Sequence, residues 1–205
     1  MNVLIVARTR MAGNRVCVGG IEANTGTSVR LLGSDGRNLL ESNPIRPGEI
    51  WVLTYRPRSE VKPPHVEDVI VAHGHKVETV PDMRAAILGL VSPWHGPIET
   101  IFDGCLSTTD AGTAFLARDQ AVPGQSTGFW IGSIDIRQSK FDPTGRRYWI
   151  PDGDEIRKVK YVGMDEPIGF IPAGTLVRFS LARWKAFPPG VEDERCYLQL
   201  SGWYL

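Results

Sequence analysis

The sequence predicts a mainly β protein that consists of two small Greek-key barrels joined by a short helical connector. Two groups of five short runs are rich in β-branched, aromatic and leucine residues, and five short strands are the content of one small barrel. The 22 glycines and 15 prolines are scattered, which suits short strands joined by turns. The last run, 195–205, is so apolar that we expect it to close a sheet rather than to fray in water.

The first group of strands predicts a barrel over residues 1–80. Each run is bounded by turn-forming residues, and in the fourth run the residues alternate between two faces, as in a half-buried strand. The predicted strands cover residues 2–9, 15–21, 28–32, 48–56 and 66–77.

The middle of the chain, residues 81–123, predicts a connector of helix and loop. Pro81 suits a first helical position, and Met83, Ile87 and Leu90 follow at helical spacing, so a short helix is expected before Pro93. A second short helix is expected near residues 98–102. The remaining connector is rich in turn residues, and we expect it to pack on a barrel.

The second group of strands predicts another barrel over residues 124–205. The predicted strands cover residues 128–137, 147–150, 156–162, 175–184 and 195–205. The last two flank Pro188, Pro189 and Gly190, which predicts a hairpin. Because the two halves do not align residue by residue, a single larger barrel or sandwich is the alternative.

Overall composition limits the classes of function. The 205-residue chain carries 23 basic and 23 acidic residues, so any nucleic-acid site must be a local patch and not a global positive field. Three widely spaced cysteines suit buried, reduced thiols in a cytoplasmic protein. Neither a secretory signal nor a membrane-spanning segment is predicted, so we expect a cytoplasmic protein with no membrane partner.

The two ends of the chain resemble a known bacterial family. The opening LIVARTR and the following RVCVGGIEANTGTSVRLLG place Arg8 and Arg10, Cys17 and Arg30 on three successive strands, and the closing RFSLARW and CYLQLSGWYL look like last strands of the same kind of protein. These features resemble the dual-OB-domain proteins. The resemblance implies two OB-like barrels and binding of nucleic acid or nucleotides, often beside a partner enzyme.

Basic and aromatic residues indicate where such binding would occur. A single strand needs cations for its phosphates and exposed rings for its bases. The first half carries arginines and no lysine before Lys62, and the second half interleaves cations with aromatic residues on successive strands, Trp149 among them. The predicted nucleic-acid-binding residues are Arg8, Arg10, Arg30, Trp51, Arg56, Trp130, Arg137, Arg146, Arg147, Tyr148, Lys158 and Trp184.

Within this set, the first-barrel arginines and the group at 146–148 are expected to hold phosphates. Trp51, Trp130 or Trp184 would stack bases. The competing interpretation is that the arginines are solvated edge charges and Trp51 is a core residue. Since a small barrel must be filled, at least half of the second-half aromatics are expected to be buried.

Two other functions stay open. The barrels could form a protein-interaction module, or an accessory subunit of a partner enzyme. An enzyme acting on nucleotides would need Asp152, Asp154 and Glu155 to converge on a metal ion. His73 and His75 lack metal-site spacing, and no nucleophile elbow or phosphate loop is present. We therefore predict single-stranded nucleic-acid binding without catalysis, cofactor or metal.

Overall fold

In a computed structural model of the protein, residues 1–186 and 193–205 are described, and they form two compact units, Met1–Ser92 and Pro93–Leu205. Both units are built mainly of β-strands, which confirms the predicted fold class. Residues 81–92 of the predicted connector lie in the first unit and residues 93–123 lie in the second. The predicted turn at Pro188, Pro189 and Gly190 lies outside the described residues.

The first unit is a closed five-stranded barrel. Its pairing order is β1, β5, β6, β3, β2, and β2 pairs with β1 to close the ring. The pairing of β3 with β6 is parallel, and the other pairings are antiparallel. Its elements are β1 Asn2–Arg10, β2 Arg15–Glu22, β3 Ser28–Leu32, β4 Leu39–Leu40, β5 Glu49–Pro57, β6 Asp68–Thr79 and α1 Met83–Leu88.

Local residue choices explain how this barrel closes. Gly20 of β2 lies so close to β1 that an added Cβ would be 2.4 Å from Val3 Cγ1, so only glycine allows the approach.

The helix α1 begins after Asp82, whose side chain accepts a hydrogen bond from Ala85 N at 2.9 Å. The prediction that Pro81 occupies the first helical position is therefore wrong, because Asp82 is the N-cap.

The second unit repeats the strand order with an interrupted first strand. Along its sheet, β10, β15, β17, β13 and β12 follow one another, as β1, β5, β6, β3 and β2 do in the first unit. The pairing of β13 with β17 is parallel, like that of β3 with β6. In the first unit, β1 pairs with both β5 and β2. In the second unit, two strands share the position of β1: β10 pairs with β15, and β11 pairs with β12. The strands are β7 Trp94–His95, β8 Ser107–Thr108, β9 Ala114–Ala117, β10 Thr127–Ile131, β11 Ile136–Gln138, β12 Arg147–Asp152, β13 Glu155–Tyr161, β14 Phe170–Ile171, β15 Leu176–Leu181, β16 Lys185–Ala186 and β17 Glu194–Tyr204.

Aromatic residues fill the core of the second unit. Trp130, Tyr148, Tyr161, Phe102 and Phe179 are its largest fully buried side chains. The rings are accommodated by glycines: an added Cβ would be 2.2 Å from the Trp94 ring at residue 128, 2.0 Å from the Trp130 ring at residue 132 and 2.4 Å from the Tyr161 hydroxyl at residue 163. The barrel is thus filled by large rings that rest on glycine backbone.

The segment predicted as connector contributes more structure than expected. The predicted second helix is a 3-10 segment, Ile98–Gly104, whose backbone is non-helical at residues 101–103. The strand β9 is buried throughout and pairs with β17, so it is part of the second unit. A four-residue apolar run has no periodicity that distinguishes a strand from a loop, which explains why it was missed. Among the described residues, none of the helices has the length and apolarity needed to cross a membrane.

Candidate nucleic-acid interface

A row of alternating rings and cations crosses four strands of the second unit. Phe170 of β14 lies opposite Arg137 of β11, Arg137 lies opposite Trp149 of β12, and Trp149 lies opposite Lys158 of β13. Directly opposed residues in antiparallel strands point to the same face. The neighbouring residue Tyr148 is fully buried, so the row occupies the outer face of the sheet.

Three of these strands, β11, β12 and β14, and the loop that follows β11 line an open groove of about 510 Å³, which we call the aromatic groove. Its rings are unusually exposed: Phe141 is 84% exposed and Phe170 is 51% exposed. Phe141 and Trp149 lie with ring centroids 5.9 Å apart and planes 29° apart. The groove is lined by Asp135, Arg137, Gln138, Lys140, Phe141, Trp149, Gly169 and Phe170.

The loop at residues 139–146 holds Phe141 at this groove through hydrogen bonds to Asp142. The carboxylate accepts from the Thr144 hydroxyl at 2.8 Å and from Arg146 N at 2.8 Å. The Thr144 hydroxyl bond, supported by backbone N–H groups, keeps the pKa of Asp142 below its usual value. Gly145, with φ of +62°, completes the turn, and its carbonyl accepts from Gln138 Nε2 at 2.6 Å. The ring is therefore presented by a fixed loop.

Three further cations lie at one end of the groove. Arg147 and Lys160 are opposite one another, two residues along their strands from Trp149 and Lys158, and therefore share the outer face. Lys140 precedes Phe141 in the loop. All three residues are exposed, and within the described ranges their side chains form no ion pair. This end of the groove can hold anions.

The opposite end carries a carboxylate. Asp135 Oδ1 accepts a hydrogen bond from Ala173 N at 3.0 Å, and Asp135 Oδ2 lies 3.6 Å from Arg137 Nη2. The Asp135 side chain is 38% exposed and that of Arg137 is 72% exposed. Because β11 and β12 are antiparallel, residue 135 lies toward Pro151 and away from Arg147. The groove is therefore positive at one end and has an acceptor at the other.

The structure places only some of the predicted second-half residues in this groove or beside it. Arg137, Arg147 and Lys158 share its face. Trp130 is 1% exposed and donates from Nε1 to Gly96 O at 3.0 Å, so its predicted base stacking is wrong because its ring is enclosed by the core. Trp184 is half-buried against the core, with the Arg118 guanidinium 5.8 Å from its ring centroid.

Tyr148 and Arg146 face away from the groove. Tyr148 is 0% exposed, and its hydroxyl donates to Ile168 O at 2.7 Å and accepts from Ile168 N at 3.0 Å. Arg146 donates to Gly163 O at 3.1 Å and lies over the Tyr161 ring. Their predicted contact with phosphates is corrected for one reason: residues alternate along a strand, so the face that presents Arg147 cannot present its neighbours.

The predicted residues of the first unit are mostly engaged within the protein. Arg8 is 7% exposed and donates to Glu41 O, and burial together with the positive charge of Arg46 lowers the pKa of its guanidinium. Arg30 pairs with the buried Asp68. Trp51 is half-buried and donates from Nε1 to Glu49 Oε2 at 2.9 Å. Arg10 and Arg56 are exposed, and neither lines the aromatic groove of the second unit.

Two members of the alternative carboxylate cluster, Asp152 and Glu155, are paired with an arginine. Arg157 Nε donates to Asp152 Oδ2 at 2.5 Å, and Arg157 Nη1 lies 3.0 Å from Glu155 Oε2. His73 and His75 are exposed on β6. In the part of the chain that the structure describes, no three His, Cys, Asp or Glu residues are placed to hold a metal ion.

The sequence-based site missed the most exposed rings. Strand alternation could have identified Trp149. If Arg147 lies on the outer face of its strand, Trp149, two residues later, lies on the same face and Tyr148 lies on the opposite one. Phe141 follows Lys140 in a segment bounded by Ser139, Pro143 and Gly145, where a loop aromatic has no core to enter. Phe170 had no comparable signal, because it lies in a two-residue strand.

The sequence of the chain matches a known protein family. A family model described as a dual OB-containing domain matches residues 1–203. No curated protein and no solved structure matches the chain significantly.

Proposed function

The chain belongs to the dual OB-containing domain family, and from that premise we propose that it binds single-stranded nucleic acid, without catalysis, in the aromatic groove of its second unit. OB barrels commonly present a sheet face and loops to a strand of bases. The observation that carries the proposal is the row of Phe170, Arg137, Trp149 and Lys158 across four strands. Rings for bases and cations for phosphates are the two requirements of single-strand binding.

The groove favours unpaired bases over duplex. Stacking on Phe141 or Trp149 needs access to the face of a base, which a duplex conceals between neighbouring pairs. Each stacked base contributes about 1–3 kcal/mol by alanine substitution. Phosphates would contact Arg147, Lys160 and Lys140 at the positive end, which gives the binding a dependence on salt.

A partner protein is the second candidate occupant. Phe141 and Phe170 are large apolar side chains with high exposure, and such patches also mark protein interfaces. A partner that buries these two rings would bind through apolar area, so its affinity would change little with salt. Salt dependence therefore separates the two candidates.

The test is fluorescence anisotropy with labelled single-stranded and duplex DNA and RNA of equal length, at low and moderate salt. We expect single strands to bind more tightly than duplexes, and their affinity to fall steeply as salt rises. Phe141→Ala should weaken single-strand binding about tenfold, as expected for one lost stacking contact. Leu205→Ala is the matched control, because Leu205 is 77% exposed in the same unit and lies outside the groove.

Two results would reject the proposal. The first is no binding of any single strand at low salt, which would favour the partner protein and make a search for that protein the next step. The second is single-strand binding that neither salt nor Phe141→Ala changes, which would mean that the aromatic groove is not the binding site.

A further inference from the structure

The aromatic groove has different chemistry at its two ends. Arg147, Lys160 and Lys140 lie at one end, whereas Asp135 lies at the other, beyond Arg137. A carboxylate repels phosphate, so a strand lying on this face would keep its backbone at the positive end. Its bases would then extend over Trp149 toward Arg137 and Asp135.

Asp135 and Arg137 retain unused hydrogen-bonding capacity. One carboxylate oxygen of Asp135 already accepts from Ala173 N, but its other oxygen is 3.6 Å from Arg137 Nη2, beyond an ordinary hydrogen bond. Both side chains are well exposed, at 38% and 72%. Each oxygen of Asp135 can therefore accept a further hydrogen bond. A bound group would match the pair if it accepted from Arg137 and donated from two adjacent positions to the two carboxylate oxygens.

Among the bases, guanine presents that pattern. Its Watson–Crick edge carries the acceptor O6 followed by the donors N1–H and N2–H. Cytosine and adenine each place an acceptor nitrogen beside a single amino donor, so they can give the carboxylate only one hydrogen bond while accepting from Arg137. Uracil and thymine have one N–H between two carbonyls. Unpaired bases are commonly recognised on this edge.

We propose that the pair of Asp135 and Arg137 makes the aromatic groove selective for guanine, with Asp135 accepting from N1–H and N2–H and Arg137 donating to O6. This inference rests on the proposed single-strand binding and adds the base that the groove prefers. Trp149 or Phe141 would stack the same guanine, while Arg147 and Lys160 would hold the adjacent phosphates.

The test compares labelled thymidine octamers that differ at one central position, which carries thymine, guanine, hypoxanthine, adenine or cytosine. Hypoxanthine is guanine without the N2 amino group and so removes one donor to Asp135. We expect guanine to increase affinity about tenfold over thymine, as for a bidentate contact, and hypoxanthine to give less than half of that gain on a logarithmic scale.

Asp135→Asn provides the matching change in the protein. It keeps an acceptor for Ala173 N but replaces one carboxylate oxygen with an amide, so the guanine preference should disappear. Asp154→Asn is the control, because Asp154 is an exposed carboxylate in the β12–β13 turn, outside the groove, and should leave the preference intact.

The outcomes separate the two proposals. Salt-sensitive binding of all octamers with equal affinity, or a guanine preference that persists in Asp135→Asn, would reject the guanine inference and leave single-strand binding standing. A preference for cytosine or adenine would also reject it. Absence of binding by every octamer would reject both proposals.

Discussion

Arg30 in the first unit and Arg137 in the second are both strand arginines, yet they have opposite surroundings. Arg30 is 15% exposed and pairs with Asp68, which is 2% exposed and also lies 3.6 Å from Arg58. Arg137 is 72% exposed between the rings of Phe170 and Trp149. The first arginine is part of the fold, and the second is available to a ligand.

Other cations of the two units show the same difference. In the first unit, Arg8, Arg15 and Arg46 donate to backbone carbonyls of the segment that follows β3. In the second unit, Arg147 and Lys160 are exposed beside aromatic rings. One strand order thus supports two uses of positive charge, and the number of arginines in a barrel does not identify a binding face. Burial, bonded partners and neighbouring rings identify it.

Removing the buried carboxylate of Asp68 in the first unit should have the largest effect. Asp68→Ala would leave Arg30 without its buried partner, and we expect the free energy of unfolding to fall by about 3 kcal/mol. Urea denaturation measures this change, with the exposed Glu60→Ala as control. If Asp68→Ala lowered single-strand affinity and left stability unchanged, the arginines of the first unit would be ligand contacts and the contrast between units would fail.

Removing two cations of the second unit should affect binding and not folding. For Arg147→Ala/Lys160→Ala we expect about tenfold weaker single-strand binding at low salt. The slope of log affinity against log salt should become shallower by about 1.4, since each phosphate contact of a single strand contributes about 0.7. Anisotropy across a salt series measures both quantities.

A charge-matched variant controls for overall charge. Arg37→Ala/Lys185→Ala removes two exposed cations outside the groove and should leave the slope unchanged. Equal losses in the two double variants would show that affinity follows net charge, and the proposed face would then have no special role.

A backbone change in the loop that carries Phe141 should have a smaller effect on single-strand binding than removal of the two cations. Gly145 has φ of +62°, and an added Cβ would lie 3.0 Å from Gln138 Nε2. Gly145→Ala should therefore strain the loop by about 1 kcal/mol and weaken binding through displacement of Phe141. Gly153→Ala is the control, because it has similar backbone strain at φ of +58° with open space around its Cβ. Equal binding by both variants would mean that the loop does not position the ring.

The smallest expected effect is the pH dependence of the loop that Asp142 stabilises. Hydrogen bonds lower the pKa of Asp142 in the folded loop. The ionised carboxylate therefore contributes fully to the stability of the folded state above the usual aspartate pKa, and this contribution is lost as pH falls through the lower pKa of the folded state. The Asp142 carboxyl resonance should therefore titrate below the usual aspartate range in NMR. Thr144→Ala should raise that midpoint, since it removes the first of these bonds. An unchanged midpoint would show that the loop is held by other contacts.

Much of the fold could be predicted because strands leave a period-two pattern. The alternation of Cys196, Leu198 and Leu200 with Tyr197 and Gln199 predicted a strand with one buried face, and those first three side chains are buried. The ten predicted strand runs each correspond to strands of the structure. Interruptions within a run, such as the break between β10 and β11, depend on tertiary pairing and were not predictable.

The candidate site was less predictable because the same residue types serve the core and the surface. Trp130 and Trp149 both lie near basic residues in sequence, but one fills the barrel and the other lines the groove. Neighbouring sequence also does not show which arginine has an acidic partner far along the chain, as Arg30 has in Asp68. The pairing of strands determines both which tryptophan is buried and which arginine has an acidic partner.

The position of β17 in its sheet has a consequence for synthesis of the chain. This strand lies between β13 and β15, although it follows both of them in the chain, whereas the strands of the first barrel are all present once Thr79 has been added. From Thr79 to Tyr204 a ribosome adds 125 residues, which takes roughly 6–25 seconds at ordinary elongation rates. During that interval the first barrel can be closed while the second has an open seam along β13 and β15. Nascent chains stalled in this window should therefore be the ones that bind chaperones or aggregate.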